Sequence, residues 1–254
     1  MNTLLRPYLA TTDRILRQLR NDHRTVAMII VVPALLMTLL YFIYKDTPVN
    51  PLHPVRLFDR VGISMLGILP FIVMFLITAI AMQRERSSGT LERLLTTPLR
   101  KLDLLGGYGT AFSLAAAAQA GVACLVAFGL LGLKAAGSPG WVVLIAVIDA
   151  VCGVALGLLA SAFARTEFQA VQFMPVVVAP QIFLCGLLVP RGQLPGWLEA
   201  ISNVMPLSYA VDALQQVSTH PGATGAMWRD LLVVVGFSVV ALCLGAATLR
   251  RRTA

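Results

Sequence analysis

Six long apolar runs, separated by shorter polar stretches, set the pattern of this chain: roughly 26–44, 61–82, 106–133, 141–164, 172–190 and 231–249. Each is close to the ~20 residues that cross ~30 Å of hydrocarbon at ~1.5 Å of rise. Inside lipid the backbone must satisfy itself, and continuous runs of this length do so as helices. The pattern predicts an all-α polytopic membrane protein with six transmembrane helices, residues 1–254 forming a single transmembrane domain.

The polar stretches carry patterns of their own. In residues 3–22, within the first 25, Leu5, Leu9, Leu16 and Leu19 line one side of a helix, and Arg6, Asp13, Arg14, Arg17 and Arg20 lie largely away from it. A basic helix with an apolar stripe just before a span is predicted to lie in the membrane interface. This stretch has no apolar core, so no cleavable signal is expected and the first span serves as the retained insertion signal. Residues 83–105 are polar, charged and helix-patterned between two apolar runs. Gly89 breaks the chain; Leu91, Leu94 and Leu95 then share a face, with Glu92, Arg93 and Thr96 on the others. Pro98 ends the turn. The segment reads either as a short amphipathic helix able to take a push from a soluble partner or as a connecting loop. Pro48, Pro51 and Pro54 mark an ordered outer loop in 45–60. In 191–230, Trp197, Leu198 and Ile201 predict one short helix. A second is predicted to start at Ser208 as N-cap, with Asp212 in its first turn. Pro195 and Pro206 separate the two, which together read as an outer re-entrant helical hairpin.

Within the spans, Asp149, Gly153, Gly157 and Ser161 recur every four residues, with Arg165 continuing the series. They form one ridge, and Gly153, Gly157 and Ser161 are candidates for helix packing or a dimer contact. Asp149 has two readings: a residue lining a translocation path, or a satisfied hydrogen bond between helices. Gln172 and Gln181 are further candidates for a substrate path, in a fifth run that Pro175 and Pro180 kink.

Composition sharpens the picture. The chain is 57% apolar and 13% charged, against about 45–50% and about 25% in soluble domains. A net charge of +8 invites a nucleic-acid reading, but its placement does not. Fourteen Lys and Arg fall in 1–25, 83–105, 165–171 and 250–254, and six in the alternate loops. This asymmetry puts both termini in the cytoplasm, as does an even number of spans. Cys124, Cys152, Cys185 and Cys243 sit in the runs as small apolar residues. His23, His53 and His220 are scattered, so no metal site is expected. No phosphate-cradling glycine motif and no nucleophile–base pair is found. The chain is expected to be no enzyme and to bind no cofactor, its energy entering from a gradient or from another subunit.

Taken together, these features resemble the membrane permease subunit of type-2 ABC exporters over nearly the whole length. The segment ERSSGTLERLLTTPL is similar to that family's coupling-helix signature, with Glu85, Gly89, Thr90, Leu91, Glu92, Leu94, Leu95 and Pro98 in the matching places. NVMPLSYAVDAL resembles its outer hairpin through Pro206, Leu207, Tyr209, Ala210 and Ala213. The resemblance implies a short cytoplasmic coupling helix docked on an ABC ATPase dimer that binds ATP and Mg2+. It also implies a second permease chain, identical or not, with the cargo path between the two, in a bacterial plasma membrane. The expected function is export of an amphipathic, drug- or antibiotic-like compound. A lipid-linked glycan or lipid is the alternative cargo, and an aromatic content of 7% argues against a ring-lined glycan channel. A secondary transporter driven by ions or protons is the alternative of another class; the single deep acid, Asp149, is what favours it.

Overall fold

The computed structural model describes residues 5–47, 56–90 and 101–248. Among these the chain is helical, without a strand: α1 (Leu5–Asn21), α2 (His23–Tyr44), α3 (Leu57–Ser87), α4 (Lys101–Leu125), α5 (Pro139–Ala160), α6 (Glu167–Leu184), α7 (Gly196–Ser202), α8 (Pro206–Thr219) and α9 (Gly225–Thr248). A π-helical turn, Val126–Leu130, extends α4. Six helices are long and apolar enough to cross a bilayer: α2, α3, α4 with its π turn, α5, α6 and α9. The protein is a polytopic all-α membrane protein. α1, the last turn of α3, the first turns of α4 and the α5–α6 turn share one end of the bundle, the α1 end. The start of α3, the π turn, α7 and α8 share the other, the hairpin end.

Local chemistry starts these helices. Asp22 caps α2 by accepting from Thr25 N at 3.1 Å and Thr25 Oγ1 at 2.7 Å. Those bonds favour the ionised carboxylate and hold its pKa below the usual 3.8. Ser138 caps α5, with Pro139 at its first position. Thr166 caps α6, and Glu167 in the first turn suits the helix dipole. Several helices outrun their apolar stretches. α3 begins before residue 61 and continues through Arg84, Glu85 and Arg86, because charged residues at a helix end sustain backbone bonding once clear of hydrocarbon. α6 runs from Glu167 only to Leu184 rather than over 172–190, and Gly186 at φ +92° turns the chain just beyond it.

The centre of the bundle is the crossing of α3 and α5. A Cβ on Gly153 would lie 2.5 Å from the Phe71 carbonyl oxygen, and one on Gly157 would lie 2.5 Å from that of Phe75. Glycine lets the two backbones touch. Around the crossing, Ile68, Phe71, Phe75, Cys152, Val178, Leu207 and Val211 fill the space between α3, α5, α6 and α8.

Two helices differ from their predicted faces. α1 does not bury Leu9, which is about half exposed, while Thr11, Thr12 and Ile15 are buried. The helix lies across Gly107 of α4, where a Cβ would come 2.8 Å from Thr11. The threonine hydroxyls donate to Pro7 O and Tyr8 O, so the contact leaves no polar group unpaired. α8 starts at Pro206 rather than Ser208. Ser208 is buried and accepts from Ser202 Oγ at 3.0 Å, which joins α7 to α8 instead of capping. Asp212 is therefore not in the first turn. Of the cysteines, Cys243 departs from expectation by being exposed on α9.

Candidate functional site

The last turn of α3 is where elements distant in sequence converge. Arg84 and Glu85 are neighbours and point opposite ways. Arg84 donates through Nε and Nη2 to the two carboxylate oxygens of Glu167, at 3.1 and 3.2 Å, tying α3 to α6. Glu85 is 6% exposed, and its Oε1 lies 3.6 Å from Arg14 Nη1 of α1. Arg14 also donates through Nη2 to the Tyr108 hydroxyl of α4 and stands 5.7 Å from that ring's centroid. Tyr8 of α1 shares a hydrogen bond with Thr110 of α4. One helical turn thus fastens α3 to α1, α4 and α6. The Arg84 pair is exposed and is worth about 0–1 kcal/mol. The Arg14 contacts matter more, because a buried carboxylate without its cation is costly.

Beyond that turn, Ser88 Oγ donates to Glu85 O and bonds Thr90 Oγ1 at 2.9 Å. Gly89 takes φ +72°, and a Cβ there would meet nothing within 4 Å, so backbone conformation alone requires glycine here. Leu91, Glu92, Leu94, Leu95 and Pro98 lie outside the described residues. Arg14 and Tyr108 are functional candidates that local sequence patterns do not reveal: they meet across 94 positions.

The three path candidates fall in three places. Asp149 is fully buried between α3 and α8, its Oδ2 3.3 Å from where a Gly67 Cβ would stand, beside Leu214. Neither carboxylate oxygen has a hydrogen-bond partner, so the interhelical bond offered as one reading of Asp149 is not found among the described residues. Gln181 is buried and bridges α6 to α8, donating to Val177 O at 3.0 Å and accepting from Leu207 N at 3.4 Å. Gln172 is exposed on α6, in an open groove of about 360 Å3 with Phe163, Arg165, Gln169, Phe173 and Val176. Gly153, Gly157 and Ser161 are buried inside the chain, and Ser161 Oγ donates to Leu158 O at 2.6 Å.

At the hairpin end Arg191 is the hub. It bonds Asp212 and Asn203 and lies 4.9 Å over the Tyr209 ring; Tyr209 donates to Asn203 O at 2.8 Å. Burial pushes the Asp212 carboxyl above its usual range, with Arg191 pulling the other way.

The family model described as ABC-2 type transporter matches residues 8–218, and the chain belongs to that family. With six apolar helices around a packed core, it is a type-2 ABC exporter permease. It is similar to the probable multidrug ABC transporter permease YbhR of Escherichia coli, 26% identical over 168 residues, covering 66% of this chain and 46% of YbhR. It is also similar to the probable doxorubicin resistance ABC transporter permease protein DrrC of Mycobacterium tuberculosis, 28% identical over 91% of this chain and 84% of DrrC. The linearmycin resistance permease protein LnrN of Bacillus subtilis is 25% identical over 65% of this chain and 43% of LnrN. The chain therefore spans about half the length of some of the curated relatives it matches, YbhR and LnrN among them.

Proposed function

We propose that this permease is powered by a separate, paired ABC ATPase, which binds ATP and Mg2+, and moves an amphipathic, drug- or antibiotic-like compound out of a bacterial cell. The observation that carries this reading is the length and anchoring of α3. Its 31 residues measure about 46 Å at ~1.5 Å per residue, against ~30 Å of hydrocarbon. The surplus brings Arg84 and Glu85 to the α1 end, where they hold α6, α1 and α4. The last turn of α3 and the first turns of α4, the two elements that flank residues 91–100 in sequence, are thus both anchored. A push on the Leu91, Leu94 and Leu95 face by an ATPase would reach four helices at once and rock them as a body.

Three further observations support the arrangement. The excess of Lys and Arg in 1–25, 83–105, 165–171 and 250–254 supports a cytoplasmic side for α1, both termini and the coupling residues Glu85, Gly89, Thr90, Leu91, Glu92, Leu94, Leu95 and Pro98. Gln172 stands on an exposed face of α6 together with Phe168, Val176 and Phe183. A polar amide facing lipid is unfavourable, and a second permease chain against α6 would cover it and leave the cargo path between the two copies. The names of YbhR, DrrC and LnrN all refer to drugs or antibiotics, which favours cargo of that kind.

The test is reconstitution. Proteoliposomes holding the permease with its ATPase should move a fluorescent amphipathic drug only with ATP and Mg2+. Transport by the permease alone on a pH or sodium gradient would contradict the proposal.

A further inference from the structure

A cavity of about 350 Å3 opens at the α1 end, lined by α1, α2, α3 and α4 of one chain. Its volume falls within the ~300–1,000 Å3 of small-molecule sites. The wall changes character with depth. On α3 the lining runs from Arg84 to Leu76, about 12 Å along the axis at ~1.5 Å per residue. Asp22, the N-cap of α2, stands with Arg84 at the polar end, and Ile77, Ile80 and Phe112 line the apolar remainder. Among the described residues, two charges are offered to an occupant. Glu85 is also in the wall, but its Oε1 is turned to Arg14 and its Oε2 is buried. Asp22 is half-buried; each of its oxygens accepts one bond from Thr25 and keeps a further lone pair. Arg84 is largely exposed and spends Nε and Nη2 on Glu167, so that Nη1 makes no hydrogen bond among the described residues. The Thr25 bonds and, in smaller part, the Arg84 charge hold the Asp22 carboxyl below its usual range, so the two opposite charges stand near each other.

A carboxylate and a guanidinium at the mouth, with apolar walls beneath, match a zwitterionic membrane lipid. We propose that this cavity holds a phospholipid with a primary-amine headgroup, phosphatidylethanolamine: its ammonium donates to Asp22, its phosphate accepts from Arg84 Nη1, and one acyl chain enters the chamber. The bilayer is the source. Met28 in the wall, with Val31 and Leu35 beyond it on the same face of α2, is more than half exposed, as they are, and this face carries the apolar surface of the chamber out to the hydrocarbon. An anionic lipid answers Arg84 but brings no cation to Asp22. A choline headgroup has the charge but no N–H, and so forgoes the stronger, charge-assisted hydrogen bond. The site is complete within one chain and lies away from the α6 face, so it rests on neither the dimer, the ATPase nor the cargo. The lipid would touch the four helices α1 to α4 and hold them together at the Glu85 turn.

The experiment uses the full chain in detergent, titrated with one lipid at a time, while native mass spectrometry counts the lipid molecules retained per chain. Phosphatidylethanolamine should saturate at one per chain. Phosphatidylcholine and phosphatidylglycerol with the same acyl chains should bind more weakly by about tenfold or more, the scale of one charge-assisted hydrogen bond. Glycerophosphoethanolamine, the same headgroup without chains, should not compete. Asp22→Asn keeps a good N-cap and should erase the preference over phosphatidylcholine. Arg84→Gln should weaken both of these lipids alike. Ala81→Trp, which fills the chamber, should abolish saturable retention. Met28→Trp fills it from the lipid side, at a position more than half exposed, and serves should Ala81→Trp fail to fold. No saturable retention, equal affinity for the ethanolamine and choline lipids, competition by the chain-free headgroup, or retention that survives chamber filling would each overturn the proposal.

Discussion

Arg14 Nη1 stands 3.6 Å from Glu85 Oε1, and its Nη2 is bonded to Tyr108; one guanidinium so holds α1 against two spans. The fork geometry of arginine permits this double contact, and an ammonium at that position has no equivalent plane. Arg14→Ala should lower stability by about 1–2 kcal/mol, less than the ~3–5 of a fully buried pair because about a third of Arg14 meets water. Arg14→Lys should recover only part of it. Thermal unfolding in detergent checks both.

The α3–α5 crossing tolerates no side chain. Gly153→Ala or Gly157→Ala drives a methyl into a backbone carbonyl, and each should cost about 1–3 kcal/mol, the range for overpacking. Gly121 in α4 has nothing within 4 Å of its missing Cβ, so Gly121→Ala should be neutral or stabilising by about 0.5–1 kcal/mol, the helix-propensity gain. Melting midpoints of the three variants, measured side by side, decide this.

Asp149 offers a prediction with the opposite sign. Both its oxygens are buried without partners, and a buried polar group left unpaired costs about 1–3 kcal/mol. Asp149→Val, apolar and similarly branched, should raise the melting midpoint. It should leave the preference between cationic and neutral cargo unchanged, since Asp149 lies inside one chain rather than on the α6 face. A changed preference in dye-transport assays would reinstate it as a lining residue.

Asp212 gives a pH signature at the hairpin end. Its folded pKa is raised above the ordinary 3.8, so the folded state binds the proton more tightly than the unfolded one. Its contribution is fully present below the ordinary value and is lost as pH rises through the raised one. Amide hydrogen exchange in α8 should therefore speed up as pH climbs across that window, after correction for the intrinsic rate. Asp212→Asn should remove this dependence.

The spans were legible because hydrocarbon imposes a length on apolar runs that few other structures need. The Gly153–Gly157 ridge was legible because four-residue spacing keeps one helix face. Helix ends were not: Arg84–Arg86 fall beyond the apolar run 61–82, yet the helix continues through them, since hydropathy reports solvent rather than hydrogen bonding. Nor was the face of α1, where Thr11 and Thr12 displace Leu9 because Gly107 leaves room for small side chains that satisfy themselves. The Arg14–Glu85–Tyr108 contacts and the cavity beside them join positions tens of residues apart, and no local spacing encodes such a meeting.

The central claim is that the segment after α3 transmits work done elsewhere. In proteoliposomes containing permease and ATPase, the ratio of drug moved to ATP hydrolysed tests it most directly. Leu94→Pro breaks the proposed helix at its apolar face, and Glu92→Arg reverses a charge beside it. Both variants should insert and assemble, keep ATP hydrolysis within about threefold, and lose transport by about tenfold or more, the equivalent of ~1.4 kcal/mol of lost coupling. A Leu94→Pro permease that transports with the normal ratio would contradict the account.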